Sequence, residues 1–78
     1  MKELIQYLAR SLVTNPAAVE IKETERETVL VLELKVAKED LGRVIGKQGR
    51  TAKSIRTILN AAASRSNRKV VLEIVEEL

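Results

Sequence analysis

With 78 residues, a net charge of +3 and neither cysteine nor histidine, the chain has room for one small core. It lacks disulfides, thiolate metal sites and the side chains that most often act as general base or strong nucleophile. Only carboxylates, lysines, hydroxyls and one tyrosine remain for chemistry, so most enzyme classes are excluded, and no cofactor, metal or small-molecule substrate is expected.

In chain order, Leu4, Ile5, Leu8, Ala9 and Leu12 fall at helical spacing, and Asn15-Pro16 closes this first helix because a residue before proline avoids the helical region. The helix lacks the apolar block of a signal peptide, and the chain is expected to begin at Met1. Its lone aromatic, Tyr7, is a packing or surface residue. Val19 and Ile21 alternate with Glu20 and Lys22 as a short strand, after which the polar stretch 23–27 turns the chain. Thr28 to Val36 sets Leu30, Leu32, Leu34 and Val36 on one strand face and Val29, Val31, Glu33 and Lys35 on the other.

The period then changes. Leu41, Val44 and Ile45 mark a short helix over 37–45, with Glu39 and Asp40 favouring its first turn and Gly46 ending it. From Arg50 a longer helix carries Ala52, Ile55, Leu59, Ala62 and Ala63 in one stripe and weakens over 64–67. A last strand over 69–76 alternates Val70, Leu72 and Ile74 with Val71, Glu73 and Val75. The order is α-β-β-α-α-β, an α+β fold. Its mixed three-stranded sheet holds an antiparallel hairpin and a parallel crossover, with three helices on one face. No apolar run approaches the roughly 20 residues that span a bilayer, so no membrane insertion is expected.

Charge is unevenly placed. Residues 1–37 hold five basic and six acidic side chains, net −1; residues 38–69 hold nine and two, net +7; residues 70–78 hold three acids only, net −3. A solvated helix usually mixes signs, so the one-sided segment reads as the footprint of a polyanion. At its centre, Gly46-Lys47-Gln48-Gly49 joins two helices. A Walker loop is excluded, because Gly42 to Gln48 is one residue short and has Gln in place of the magnesium-binding hydroxyl. The dinucleotide fingerprint is absent too, since no two glycines are separated by one residue. What remains is a GxxG turn in which glycines let a phosphate approach main-chain N–H groups at a helix N-terminus, with Lys47 and Arg50 supplying charge.

The stretch "LGRVIGKQGRTAKSIRTIL", residues 41–59, resembles the VIGxxG signature of KH domains, and the element order resembles their bacterial, type II arrangement. The likeness covers the whole chain, 1–78, as a single KH domain, and is similar to the KhpA family of small stand-alone RNA-binding proteins. The resemblance implies a clamp at Gly46, Lys47, Gln48 and Gly49, with Val44, Ile45 and Ile55 near or beneath an aliphatic groove for bases. Each of these aliphatics also reads as ordinary core, Val44 above all. Arg43, Lys53 and Arg56 would widen the positive field. Where many KH domains carry a larger aliphatic residue three after the second glycine, this chain has Ala52, which puts groove depth and base preference in question.

The expectation is a cytoplasmic, non-catalytic module holding about four nucleotides of single-stranded RNA. With one aromatic side chain in the sequence, bases would be held by charge and aliphatic contact rather than by stacking. The alternative is a protein-interaction adapter that uses the fold as a dimerisation scaffold. The resemblance further implies homodimers, a heterodimer with a larger KH protein of the Jag (KhpB) type, RNA regulation or chaperoning, and a role in cell-envelope growth and cell shape. Candidate pairing surfaces are the valines of the open sheet face and the patch Ala61 to Ala63.

Overall fold

The computed structural model describes residues 1–76. Helix α1 (Lys2–Leu12) leads through a single 3-10 turn (Pro16–Ala18) into β1 (Glu20–Arg26) and β2 (Val29–Val36). A second 3-10 turn (Lys38–Asp40) and α2 (Leu41–Ile45) precede the glycine loop, after which α3 (Arg50–Ala63) returns the chain to β3 (Lys69–Glu76). The sheet order is β1-β2-β3, antiparallel between β1 and β2 and parallel between β2 and β3. The α+β fold expected from the alternating periods is the one adopted.

β2 carries the core. Leu30, Leu32, Leu34 and Val36 are buried on the helical side against Ile5 and Ala9 of α1, Val44 of α2, and Ile55, Leu59 and Ala63 of α3. On the uncovered face Val29, Val31 and Val71 are half-buried and Val75 is exposed. α3 departs from its expected stripe at one position, because Ala62 points to solvent while Ala52, Ile55, Leu59 and Ala63 are buried. Asn67, with φ +60°, ends the turn after α3.

Two boundaries differ from the sequence reading. β1 is longer than expected, because residues 23–26 form strand, with Glu23 opposite Leu32 and Glu25 opposite Leu30. The turn shrinks to Glu27-Thr28, and Glu27 takes the positive φ of 47°. Charges survive in this strand because β1 is an edge, and the Glu25 carboxylate accepts a hydrogen bond from Arg68 at 2.7 Å. The helix expected over 37–45 begins later, since Ala37 is extended and residues 38–40 form the 3-10 turn.

Asp40 does more than favour a first turn. Its side chain has no exposed surface. The carboxylate accepts the Thr14 N–H at 2.9 Å, the Thr14 hydroxyl at 2.8 Å and the Asn15 N–H at 3.0 Å. It thereby pins the end of α1 to the start of α2. The Thr14 N–H holds the carboxyl below the ordinary value of 3.8; the Thr14 hydroxyl, the Asn15 N–H and Arg43 add to this, and burial partly opposes it. A lowered folded pKa contributes stability that is fully present above about pH 4 and is lost as pH falls through the folded value. Asp40→Asn is therefore expected to lower the melting temperature most near pH 6–7, because the amide cannot accept from both residues. The gap to wild type should close below about pH 4. Melts recorded from pH 3 to 7 check this, and a gap independent of pH would contradict it.

Candidate nucleic-acid interface

The loop is built by three residues outside the ordinary helical region. Gly46 has φ +78° and ψ 172°, a combination open essentially to glycine alone. Gln48 (φ 58°, ψ 26°) and Gly49 (φ 73°, ψ 13°) are both left-handed. Hydrogen bonds fix the turn: Gly46 N–H donates to Gly42 C=O at 2.8 Å, closing α2, and Gly49 N–H donates to Gly46 C=O at 3.1 Å. The chain thus reverses within three residues and presents the N-terminus of α3, whose first amide, that of Arg50, donates to Lys47 C=O in the 3-10 turn of the loop.

The two glycines have different reasons to be glycine. A side chain on Gly46 would collide with that of Thr51 and lie 2.8 Å from the Thr51 main-chain nitrogen, so the missing Cβ lets the loop rest on α3. Glycine at 46 is therefore required by packing against Thr51, whatever approaches the loop. Of the two loop glycines it is Gly49 that faces open space, with nothing within 4 Å of where its Cβ would be.

Around the loop, Lys47, Gln48, Arg50, Lys53 and Arg56 are exposed. Arg43 is exposed as well, with its Nε 3.8 Å from an Asp40 carboxylate oxygen. Arg56 lies along the helix toward the sheet, where its Nη2 donates to Leu72 C=O on the edge strand β3 at 3.4 Å. From Leu41 to Leu72 the sequence holds eight cations and no acid. The left-handed loop, the helix N-terminus and these cations together make a surface suited to a phosphate chain.

The expected aliphatic floor is mostly core. Val44 has no exposed surface and Ile55 is 3% exposed, so Ile55 lies beneath any groove, and Ile45, 36% exposed, is the aliphatic neighbour that reaches the surface. Ala52 is buried and faces inward, so it does not line an open groove. Tyr7 is a surface residue on α1. Asp40 is the residue of this region that sequence reasoning missed, since nothing local links it to Thr14 and Asn15, 26 and 25 positions earlier. Among the described residues no group of three His, Cys, Asp or Glu side chains could hold a metal, and no helix is long and apolar enough to cross a membrane.

The chain is similar to known proteins over nearly its whole length. The family model "KhpA/KhpB, KH domain" matches residues 2–74. RNA-binding protein KhpA of Clostridium perfringens is 55% identical over 75 residues, covering 96% of this chain and all of that one. KhpA of Chlamydia trachomatis is 51% identical over 77 residues, 99% of each chain, and KhpA of Listeria monocytogenes is 50% identical over 76 residues, 97% of this chain and all of the other. No solved structure matches.

Proposed function

The chain belongs to the KhpA/KhpB KH-domain family, and from that premise we propose that it binds single-stranded RNA across residues 46–49. Its relatives are named RNA-binding proteins, and the family is not an enzymatic one. The observation that carries the reading is the coincidence of a left-handed, outward-facing turn with the acid-free run of cations. Lys47 and Arg50 contact phosphates at the start of α3, and the open side of Gly49 lets the strand come close to the main chain. Arg43, Lys53 and Arg56 extend the field, Gln48 offers an amide at the turn, and Ile45 supplies apolar surface to a base above the buried Ile55.

Affinity in this reading comes from phosphate contacts and sequence preference is weak. A second copy, or a Jag (KhpB) type KH protein, supplies further contacts by linking two sites. Ile58, 44% exposed on α3 beside the exposed Ala61 and Ala62, supports such pairing. The module acts in the cytoplasm in post-transcriptional regulation and, with its partner, in cell-envelope growth.

The test is the salt dependence of binding. Each neutralised phosphate on a single strand contributes about −0.7 to the slope of log K against log salt, so three to five contacts predict roughly −2 to −4. A flat response would contradict an electrostatic clamp and favour the adapter reading.

A further inference from the structure

One buried charge takes no part in the clamp. Asp40 is a carboxylate without exposed surface in a segment, residues 38–69, that holds nine basic side chains and two acids, and the other acid, Glu39, faces water. On a surface whose only task is to attract phosphate this charge is misplaced, and removing it would tighten binding. What the carboxylate does instead is hold a junction. Its Oδ1 accepts the Thr14 N–H and hydroxyl and its Oδ2 accepts the Asn15 N–H, so the chain leaving α1 is clipped to the residue that precedes α2.

The clip bears on the loop because α2 is short. A helix of five residues, about 7.5 Å long, is unstable by itself and takes its direction from what it is fastened to. Its fastenings are Asp40 at the start, Val44 in the core, and Gly46, packed close to Thr51, at the end. Lys47 and Gln48 are exposed and add none. A buried valine sets the depth of the helix but lets it turn and slide, whereas directional hydrogen bonds to one carboxylate fix where it starts. On the reading of 46–49 as an RNA clamp, we propose that Asp40 is a positioning residue for RNA binding: through Thr14 and Asn15 it locks α2, and with it Gly46 to Gly49, in the geometry that receives the strand. Once loosened, the loop holds that geometry for a fraction of the time, and the dissociation constant rises by the inverse of that fraction.

The experiment compares wild type with Asp40→Asn, Thr14→Val, Thr14→Ser and a Val70→Ala control. Asparagine cannot accept from both Thr14 and Asn15. Valine at 14 removes the hydroxyl donor alone and so keeps the fold, serine retains that donor, and Val70 shares a cavity with Ala63 at the far end of α3 from the loop. Affinity for a single-stranded oligouridine is measured per folded molecule, with its salt slope and the loop amide shifts of the free protein. Asp40→Asn should bind roughly three- to tenfold more weakly, a competent population of about a third to a tenth, at an unchanged salt slope. Thr14→Val should show a smaller loss, Thr14→Ser should match wild type, and Val70→Ala should lower the melting temperature alone. Without RNA, the amides of residues 46–49 should shift in Asp40→Asn and Thr14→Val and stay in place in Val70→Ala. Equal or tighter binding by Asp40→Asn would overturn the proposal, as would unmoved loop amides or a loss shared by Val70→Ala. A salt slope shallower by about 0.7 would assign the loss to a phosphate contact of Arg43, whose Nε lies 3.8 Å from Asp40, and overturn it as well. Absence of RNA binding by wild type would instead bring down the clamp reading, and the proposal with it.

Discussion

Replacing both Lys47 and Gln48 with aspartate is expected to weaken RNA binding by about 100-fold or more, since like charges placed against a phosphate cost several kcal/mol and 1.4 kcal/mol is tenfold. The protein should nevertheless melt close to the wild-type temperature. Both side chains are exposed and neither forms part of the core. Position 48 sits at φ 58°, where aspartate is better tolerated than glutamine because its short polar side chain bonds locally to the backbone. The double change therefore alters the field at the loop without straining it. Circular dichroism melts and an RNA shift assay, read together, check the result. A folded variant with undiminished affinity would assign the fold to scaffolding.

The second large effect separates the two loop glycines. Gly46→Ala is expected to cost about 2–5 kcal/mol, combining a backbone conformation worth roughly 1–3 kcal/mol of strain with a collision against Thr51 of similar size. For a domain of this length that is a fall in melting temperature of roughly 10–30 °C. Gly49→Ala should cost only about 1–2 kcal/mol, because the left-handed backbone is penalised but the added methyl meets nothing. Its affinity per folded molecule should drop, since that methyl stands on the face a phosphate would approach. Gly42→Ala, in α2 with open space around it, should be neutral or stabilising by up to about 1 kcal/mol. Melting temperatures and dissociation constants for all three variants decide the matter, and affinity losses at Gly49 that merely follow the folded fraction would make both glycines structural.

Much of this arrangement was legible from periodicity. The alternation of Leu30, Leu32, Leu34 and Val36 and the stripe of Ala52, Ile55 and Leu59 are local signals, and the core follows them. The loop was legible because glycines, cations and missing acids lie within a few residues of one another. What escaped the sequence depends on pairs far apart in the chain or on backbone angles. Strand β1 extends through Glu23 and Glu25 because Leu32 and Leu30 lie opposite them, a partnership no local pattern encodes. Asp40 carries the same charge as Glu39 beside it, yet one is buried in a network with Thr14 and Asn15 while the other faces water. The two loop glycines are identical in sequence, and only the position of Thr51 against Gly46 tells the packed one from the open one. The aliphatic pattern likewise gave no means of telling that Ile45 reaches the surface while Ile55 and Ala52 turn inward.

The central claim, that RNA lies on the loop and the first turns of α3, is tested most directly by an amide-resolved NMR titration of the protein with a single-stranded RNA. The largest shifts are predicted at residues 46–50, with smaller ones at Arg43, Lys53 and Arg56, and none on the open sheet face at Val29, Val31 and Val71. Shifts centred on that sheet face, or on the outer side of α1 around Tyr7, would contradict it.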